Sequence, residues 1–509
     1  MIVEPTLSPL NVSTAEEKAS SLESMDEKVD SIDIARGDEA LKLISVERRA
    51  QFTEEYNRKL RRKLDLLIPP LCAAVYFTQY LDKTSLNYAS IMGLPIVGQR
   101  YNLISLAFFL GALVWEFPTV YISQKLRVAK YLGVNIVVWG AVLMLHAASG
   151  SSFPAFFVLR FILGMCESCV APILILIISM FYKKNEQVHS SHSLYAVNGL
   201  TQIFGGFAAY GCSFDDGRVL APYKIIYVLL GGLAILVGIS VLIWMPDSPV
   251  HAQFLTKEER IAALERVRDD QGGVENKTLK MYQVWEALTD IRAWLIVLTA
   301  LLTGIPGGGL SNFSNLIIKS FGYTSKQTLI LSTPGGAVAS ITTLLCGRYA
   351  DKKNERMLPI IFALVPTIIG SGDSSSGVYL IGTLGGSIST VYAYNASNTS
   401  GHTKKSTMNA MTLASYSVGN IIGTEIFQPK DAPDYIPGKV AIMVLLTVQL
   451  FVCLILRWIN LSLNKRKQEK IQELRLQHQW SDLDVQKERE RHAFIDLTDK
   501  ENLYFVYTA

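Results

Sequence analysis

Residues 155–181 read AFFVLRFILGMCESCVAPILILIISMF. A helix needs about 20 mostly apolar residues to cross the hydrocarbon core of a bilayer. This run is longer than that and carries only two charges, Arg160 and Glu167. Comparable stretches recur on both sides of it. We read twelve spans: 64–82, 102–123, 131–149, 155–181, 194–213, 224–245, 292–316, 327–347, 357–371, 377–397, 407–427 and 438–459. The composition agrees. Of 509 residues, 50% are hydrophobic and 18% charged, whereas about a quarter of an ordinary soluble domain is charged. The apolar residues come in blocks, so the surplus does not enlarge soluble cores. A disordered chain, a secreted disulfide scaffold and a nucleic-acid-binding domain are excluded. What remains is an all-α membrane protein, embedded in a lipid bilayer.

The net charge of +4 matters less than its distribution. Lys and Arg concentrate on the cytoplasmic side of membrane proteins. With the N-terminus inside, the inner segments hold the basic runs 58–63, 125–130, 183–184, 348–356, 404–405 and 465–467, and the outer loops hold scattered charges. Both termini are therefore expected to be cytoplasmic. The longest polar interruption, 247–291, splits the spans six and six. The chain divides into a disordered tail (1–63), a six-helix half (64–246), a cytoplasmic linker (247–291), a second half (292–459) and a C-terminal tail (460–509). In the linker, Thr256 followed by Glu259 fits a capping box opening a surface helix. A basic loop follows span two (124–130, with Arg127) and span eight (347–353, with Gly347, Arg348 and Asp351). Its recurrence marks an internal repeat with a gating or structural role; ordinary charge bias is the other reading. Residues 463–492 fit a helix on the inner membrane surface or a solvated tail. Glu501–Phe505 looks like a protease-tag site, but Val506 stands where glutamine is usual, and the end is read as native.

An ionisable residue inside a span costs several kcal/mol unless paired or hydrated, so each is a functional candidate. Asp82 and Lys83 close the first span. They either mark an interface or enter a central cavity, Asp82 exchanging a proton and Lys83 meeting an anion. Glu167 is followed by apolar residues, a setting that suits a group able to take up and release a proton. A structural Glu167–Arg160 pair is the alternative, although seven residues is too far for close helical contact. Glu116 suits packing or gating. Among uncharged polar residues, Asn312, Asn315, Tyr394, Asn395, Asn398 and Asn420 either join helices or line a cavity. Cys166 and Cys169 read as small apolar residues of a packed helix. No metal spacing, phosphate loop or nucleophile elbow occurs, so no enzyme activity, metal or cofactor is expected.

The stretches Tyr80–Ser90, Trp115–Thr119, Arg160–Glu167, Leu220–Lys224, Met245–Pro249, Phe313–Lys319, Asn398–Lys405 and Gly419–Gly423 together resemble the major facilitator superfamily. More closely, they resemble its fungal anion:cation symporters of the allantoate-permease-like group. The resemblance implies the major facilitator fold, with twelve transmembrane helices in two six-helix halves. It implies a monomer importing a small organic anion with protons across the plasma membrane by alternating access. Asp82 and Glu167 would couple protons. Lys83 would contact the anion, with Arg160, Asn312, Asn315, Tyr394, Asn395 and Asn398 as further substrate-binding positions. The carried anion would be allantoate, a related ureido acid or a vitamin-type carboxylate. The ninth span is shorter than in relatives. That feature favours a second reading, a non-transporting nutrient sensor or a degenerate paralogue.

Overall fold

The computed structural model describes residues 53–182, 184–214, 220–270, 280–353, 355–372, 380, 382–432, 434–478, 481, 485 and 497–508. The described residues form α-helices, one short 3-10 turn and no strand. Of the tail 1–63 expected to be disordered, residues 1–52 lie outside them, and residues 54–63 are instead the start of the first helix.

The first helix, α1, runs Glu54–Ile91. Thr53 opens it by accepting a hydrogen bond from the Tyr56 amide, and Glu54 and Glu55 suit the positive end of the helix dipole. It extends well beyond the expected 64–82. Asp82 and Lys83 therefore lie two to three turns inside a continuous helix, and the reading of them as a helix end is corrected. Next come α2 (Gln99–Lys125) and α3 (Val128–Ala148). The expected fourth span appears as α4 (Phe153–Glu167) and α5 (Val170–Phe181), interrupted at Ser168-Cys169 just past Glu167. The half closes with α6 (Lys184–Cys212) and α7 (Pro222–Trp244).

Linker helices α8 (Lys257–Asp270) and α9 (Met281–Thr289) follow. The capping box forms: the Thr256 amide donates to Glu259 Oε2 (2.8 Å) and the Glu259 amide to Thr256 Oγ1 (3.2 Å). Glu259 also pairs with Lys63 at 2.7 Å, tying the linker to α1. The second half comprises α10 (Ile291–Ser320), α11 (Ser325–Leu331), α12 (Thr333–Lys353), α13 (Met357–Gly372), α14 (Leu384–Asn398), α15 (His402–Thr424) and α16 (Ile436–His478). Residues 463–478 of the expected surface helix or solvated tail continue α16 without a break, and most of 479–492 lies outside the described residues.

Corresponding helices pair alike in the two halves. α3 packs on α7 as α13 packs on α16; α2 packs on α4 as α12 packs on α14; α1 packs on α6 as α10 packs on α15. The internal repeat expected from two basic loops is thus a repeat of packing. Among the described residues, seven helices or helix pairs are long and apolar enough to cross a membrane, and Met357–Gly370 is apolar but shorter. Large apolar side chains such as Leu236, Ile243, Phe362 and Phe451 stand exposed on the bundle's outside, which fits a surface solvated by lipid rather than water.

The halves meet at one end. Asn87 on α1 donates to Ser314 Oγ (2.7 Å) and accepts from the Asn315 amide (3.1 Å). Tyr101 donates to the Asn312 carbonyl (2.7 Å), and Asn102 to the Phe427 carbonyl (3.0 Å). These bonds lie at the far end, away from the terminal end where α1 begins and α16 leaves. Farther along, α6 crosses α12 so closely that a Cβ on Gly199 would fall 2.0 Å from the Gly336 carbonyl oxygen. Gly199→Val is therefore expected to open the far end. A cysteine placed at Ser314 should then react with a water-soluble maleimide several-fold faster than in the parent. Unchanged labelling would contradict this closure.

Candidate functional site

The site starts from a charge problem. Asp82, Arg160 and Glu167 are 1%, 2% and 4% exposed, all within the bundle. A charge at mid-membrane depth costs about 2.5–3.5 kcal/mol even on insertion scales, so these groups must compensate one another. The Asp82 and Glu167 carboxyls are near enough to act on each other's charge, and each keeps one buried oxygen, Asp82 Oδ2 and Glu167 Oε1, without a hydrogen-bond partner. Ser85, one turn along α1, donates to Asp82 Oδ1 at 3.5 Å. Arg160 donates to Ser85 Oγ (3.1 Å) and to the Tyr227 hydroxyl (3.0 Å). The network therefore runs Glu167–Asp82–Ser85–Arg160–Tyr227 across α4, α1 and α7. Arg160 and Glu167 share a helix, yet each finds its partners on other helices.

Behind the network sits His146 on α3, fully buried. Its ring stacks on Tyr227 at 5.3 Å and meets Phe156 edge-on at 4.7 Å. Its Nδ1 lies 2.9 Å from the Val142 carbonyl oxygen. Sequence reading missed Ser85, Tyr227 and His146. His146 carried a usable signal, an ionisable residue inside an apolar span; a serine and a tyrosine carry none.

Lys83 points elsewhere. Its ammonium lies 5.4 Å from the Phe109 ring on α2 and 5.9 Å from the Tyr416 ring on α15. It is only partly buried and stands at the seam between the halves, flanked by one aromatic from each. Cation–π contact of this kind is worth roughly 0.5–2 kcal/mol and holds the cation without neutralising it. Asp82 and Lys83, adjacent in sequence, thus serve different surroundings: one faces a carboxyl inside the first half, the other the seam.

The remaining sequence candidates fall in several places. Asn315 joins the far-end seam, as does the Asn312 backbone, while the Asn312 side chain donates to Gly308 on its own helix. Asn420 likewise donates to the Tyr416 carbonyl, and Gly308 lets α15 approach there: a Cβ would meet the Asn420 carbonyl oxygen at 2.3 Å. Asn395 bridges α14 to α15 through Asn409. Tyr394 and Asn398 lie at the terminal end: Asn398 holds the C-terminal segment, donating to Thr508 Oγ1 (2.7 Å), and the Tyr394 hydroxyl accepts from Asn460 of α16 (2.6 Å). Glu116 is half-buried on α2. Arg127 and Arg348 are exposed and Gly347 is buried. Asp351 lies on α12, with its side chain outside the described residues. In the first-half loop the capping group is Asp247, which accepts from the Ala129 and Lys130 amides at the start of α3.

The sequence profile of the Major Facilitator Superfamily matches residues 72–424. The chain belongs to that superfamily. It is 35% identical to the allantoate permease of Saccharomyces cerevisiae, over 92% of this chain and 90% of that one. It is 36% identical to the uncharacterized transporter C417.10 of Schizosaccharomyces pombe, over 89% and 90% of the two chains. The fold is similar to a solved bacterial homologue of the human lysosomal transporter Spinster, in its inward-facing and unoccupied conformation. That comparison has a TM-score of 0.57 and 15% identity, covering 76% of this chain and 96% of the other. The protein is thus a multi-pass membrane transporter of allantoate-permease-like type, and its superfamily and these relatives are transporters rather than enzymes.

Proposed function

We propose that this transporter is a proton-coupled symporter that carries a small organic anion into the cell across the plasma membrane. Twelve helices cross the bilayer, both termini face the cytoplasm, and the protein works as a monomer. The observation that carries this reading is a carboxyl pair, Asp82 and Glu167, buried in the first half within reach of the charge of Lys83 on the seam. Two carboxylates in contact repel when both are ionised, and one shared proton relieves this. A proton arriving from outside settles between Asp82 and Glu167. The anion's carboxylate settles on Lys83, between Phe109 and Tyr416. With the far end closed, the bundle opens toward the terminal side, where proton and anion leave. The similarity to allantoate permease supports allantoate, a related ureido acid or a vitamin-type carboxylate as the anion.

The test is uptake in a yeast strain lacking its own anion permeases, with a panel of labelled acids in acidic and in neutral medium. One acid is expected to enter faster from acidic medium. Lys83→Ala should weaken its apparent affinity by about 10- to 100-fold, because a hydrogen bond to a charged group contributes about 1.5–3 kcal/mol. Uptake insensitive to pH would remove the symport reading. No uptake of any acid, by protein shown to reach the cell surface, would favour the sensor or decayed-copy reading. That second reading rests on α13, whose 16 residues span about 24 Å against a hydrocarbon core of about 30 Å.

A further inference from the structure

The segment 497–508 lies outside the superfamily match and yet is built into the bundle. Thr498 starts a tight turn with its own capping box: its amide donates to Glu501 Oε2 (2.9 Å) and its hydroxyl accepts from the Glu501 amide (3.2 Å). That turn delivers Asp499 into a cationic pocket. Asp499 pairs with Arg292 of α10 at 3.0 Å and with Lys404 of α15 at 2.7 Å, and is 1% exposed. The chain then returns across α16. Asn464 donates to the Tyr507 carbonyl (2.8 Å) and accepts from its amide (2.9 Å). The Tyr507 ring covers the Arg292 guanidinium at 3.9 Å. Thr508 donates its amide to Asn398 at the end of α14 (2.9 Å), and its carbonyl accepts from Asn460 of α16 (2.8 Å). Lys467 fills the middle, donating to the Asp499, Asn502 and Phe505 carbonyls.

We infer that the C-terminal segment 497–508 is an intramolecular clasp that fastens the terminal ends of α10, α14 and α15 to the flank of α16 as one body. Three helices of the second half begin or end at this point, α16 runs past it, and the segment contacts all four. Without it, Arg292 and Lys404 would keep only Asp290 and Glu286 as acidic neighbours. Burial opposes ionisation of Asp499, but Lys404 and Arg292 outweigh burial and hold the carboxyl below its ordinary range, so it docks as an anion. Burial also draws the Lys467 ammonium down to about 8, a value that still leaves it mostly charged at neutral pH. The partners of the segment belong to the second half and to Asp290 at the end of the linker, which pairs with Lys500 at 3.3 Å. The clasp therefore stiffens that half without bridging to the first, as a half that moves as one body requires.

The experiment is hydrogen exchange on the full-length protein in lipid nanodiscs, comparing wild type with Asp499→Ala and Asn464→Ala. It needs no substrate, so its result is independent of the transport reading. In wild type, the Tyr507 and Thr508 amides should exchange slowly. In either variant the segment 497–508 should exchange at least 100-fold faster. The first turns of α10 and α15 and the last turn of α14 should exchange at least tenfold faster with it. Asn464→Ala leaves the buried charges intact and serves if Asp499→Ala fails to fold. Fast exchange of the segment in wild type would overturn the inference. So would release of the segment with the three helix ends unchanged, because it would then be a passenger rather than a clasp.

Discussion

Glu167→Gln is expected to abolish pH-driven accumulation of the anion while leaving exchange of internal for external anion in place. Glutamine keeps the size and hydrogen-bonding capacity of the side chain but cannot gain or lose a proton. Asp82 would then face a neutral amide instead of a carboxyl, and no titratable pair would remain to bring a proton across. The magnitude follows from the coupling. If Asp82 and Glu167 hold one proton between them, one proton crosses with each monovalent anion. The cycle is then electroneutral, and accumulation follows the pH gradient alone, about tenfold per pH unit. With two protons the cycle would carry net charge, and the membrane potential would add about 2.3 kcal/mol per 100 mV. The closeness of the two buried carboxyls, each with an oxygen that lacks a partner, favours the first case, because one proton relieves the repulsion of both. Wild type in vesicles should therefore respond to an imposed pH gradient and ignore an imposed potential, and Glu167→Gln should ignore both. Accumulation by the variant that still follows the pH gradient would place the proton elsewhere.

The fold was legible in the sequence because its signals are local. Apolar length, basic loops and the polar interruption at 247–291 need no tertiary information. Boundaries were less legible wherever an apolar core continues into a polar extension. α1 gave no sign in its composition that Asp82 and Lys83 lie within it, because a charge that satisfies itself inside a bundle looks the same in sequence as one that ends a span. The site was legible in part for the same reason. Charges in apolar surroundings drew attention to Asp82, Lys83, Arg160 and Glu167. Their pairing was not visible, since Arg160 bonds to Ser85 and Tyr227, 75 and 67 residues away. Tyr394 and Asn398 were grouped with a cavity because they are dense and polar. The Asn398 side chain in fact receives Thr508, 110 residues downstream, and the Tyr394 hydroxyl meets Asn460 on α16, relations that no periodicity encodes.

Arg160→Ala is expected to be the most destabilising substitution in the first half. Arg160 is a buried cation with a carboxyl pair on one side and Tyr227 and His146 on the other. Removing one partner of a buried charge cluster costs about 3–5 kcal/mol, because the remaining charge keeps its desolvation penalty without compensation. Here the remaining group is Asp82, with Ser85 left short of a donor. The loss should appear as faster thermal inactivation in detergent and lower yield at the membrane. A fold-only role and a site role then separate in the double variant Asp82→Asn, Arg160→Leu. Replacing both charges removes the unbalanced one, and an apolar replacement of a buried pair is often neutral for stability. The double variant should therefore recover most of the thermal stability lost by Arg160→Ala. It should not recover accumulation driven by pH, because Asp82 would be gone from the pair with Glu167. Recovery of both would mean that Arg160 and Asp82 serve only to balance each other. Recovery of neither would mean that the guanidinium is held for its bonds to Ser85 and Tyr227 rather than for its charge.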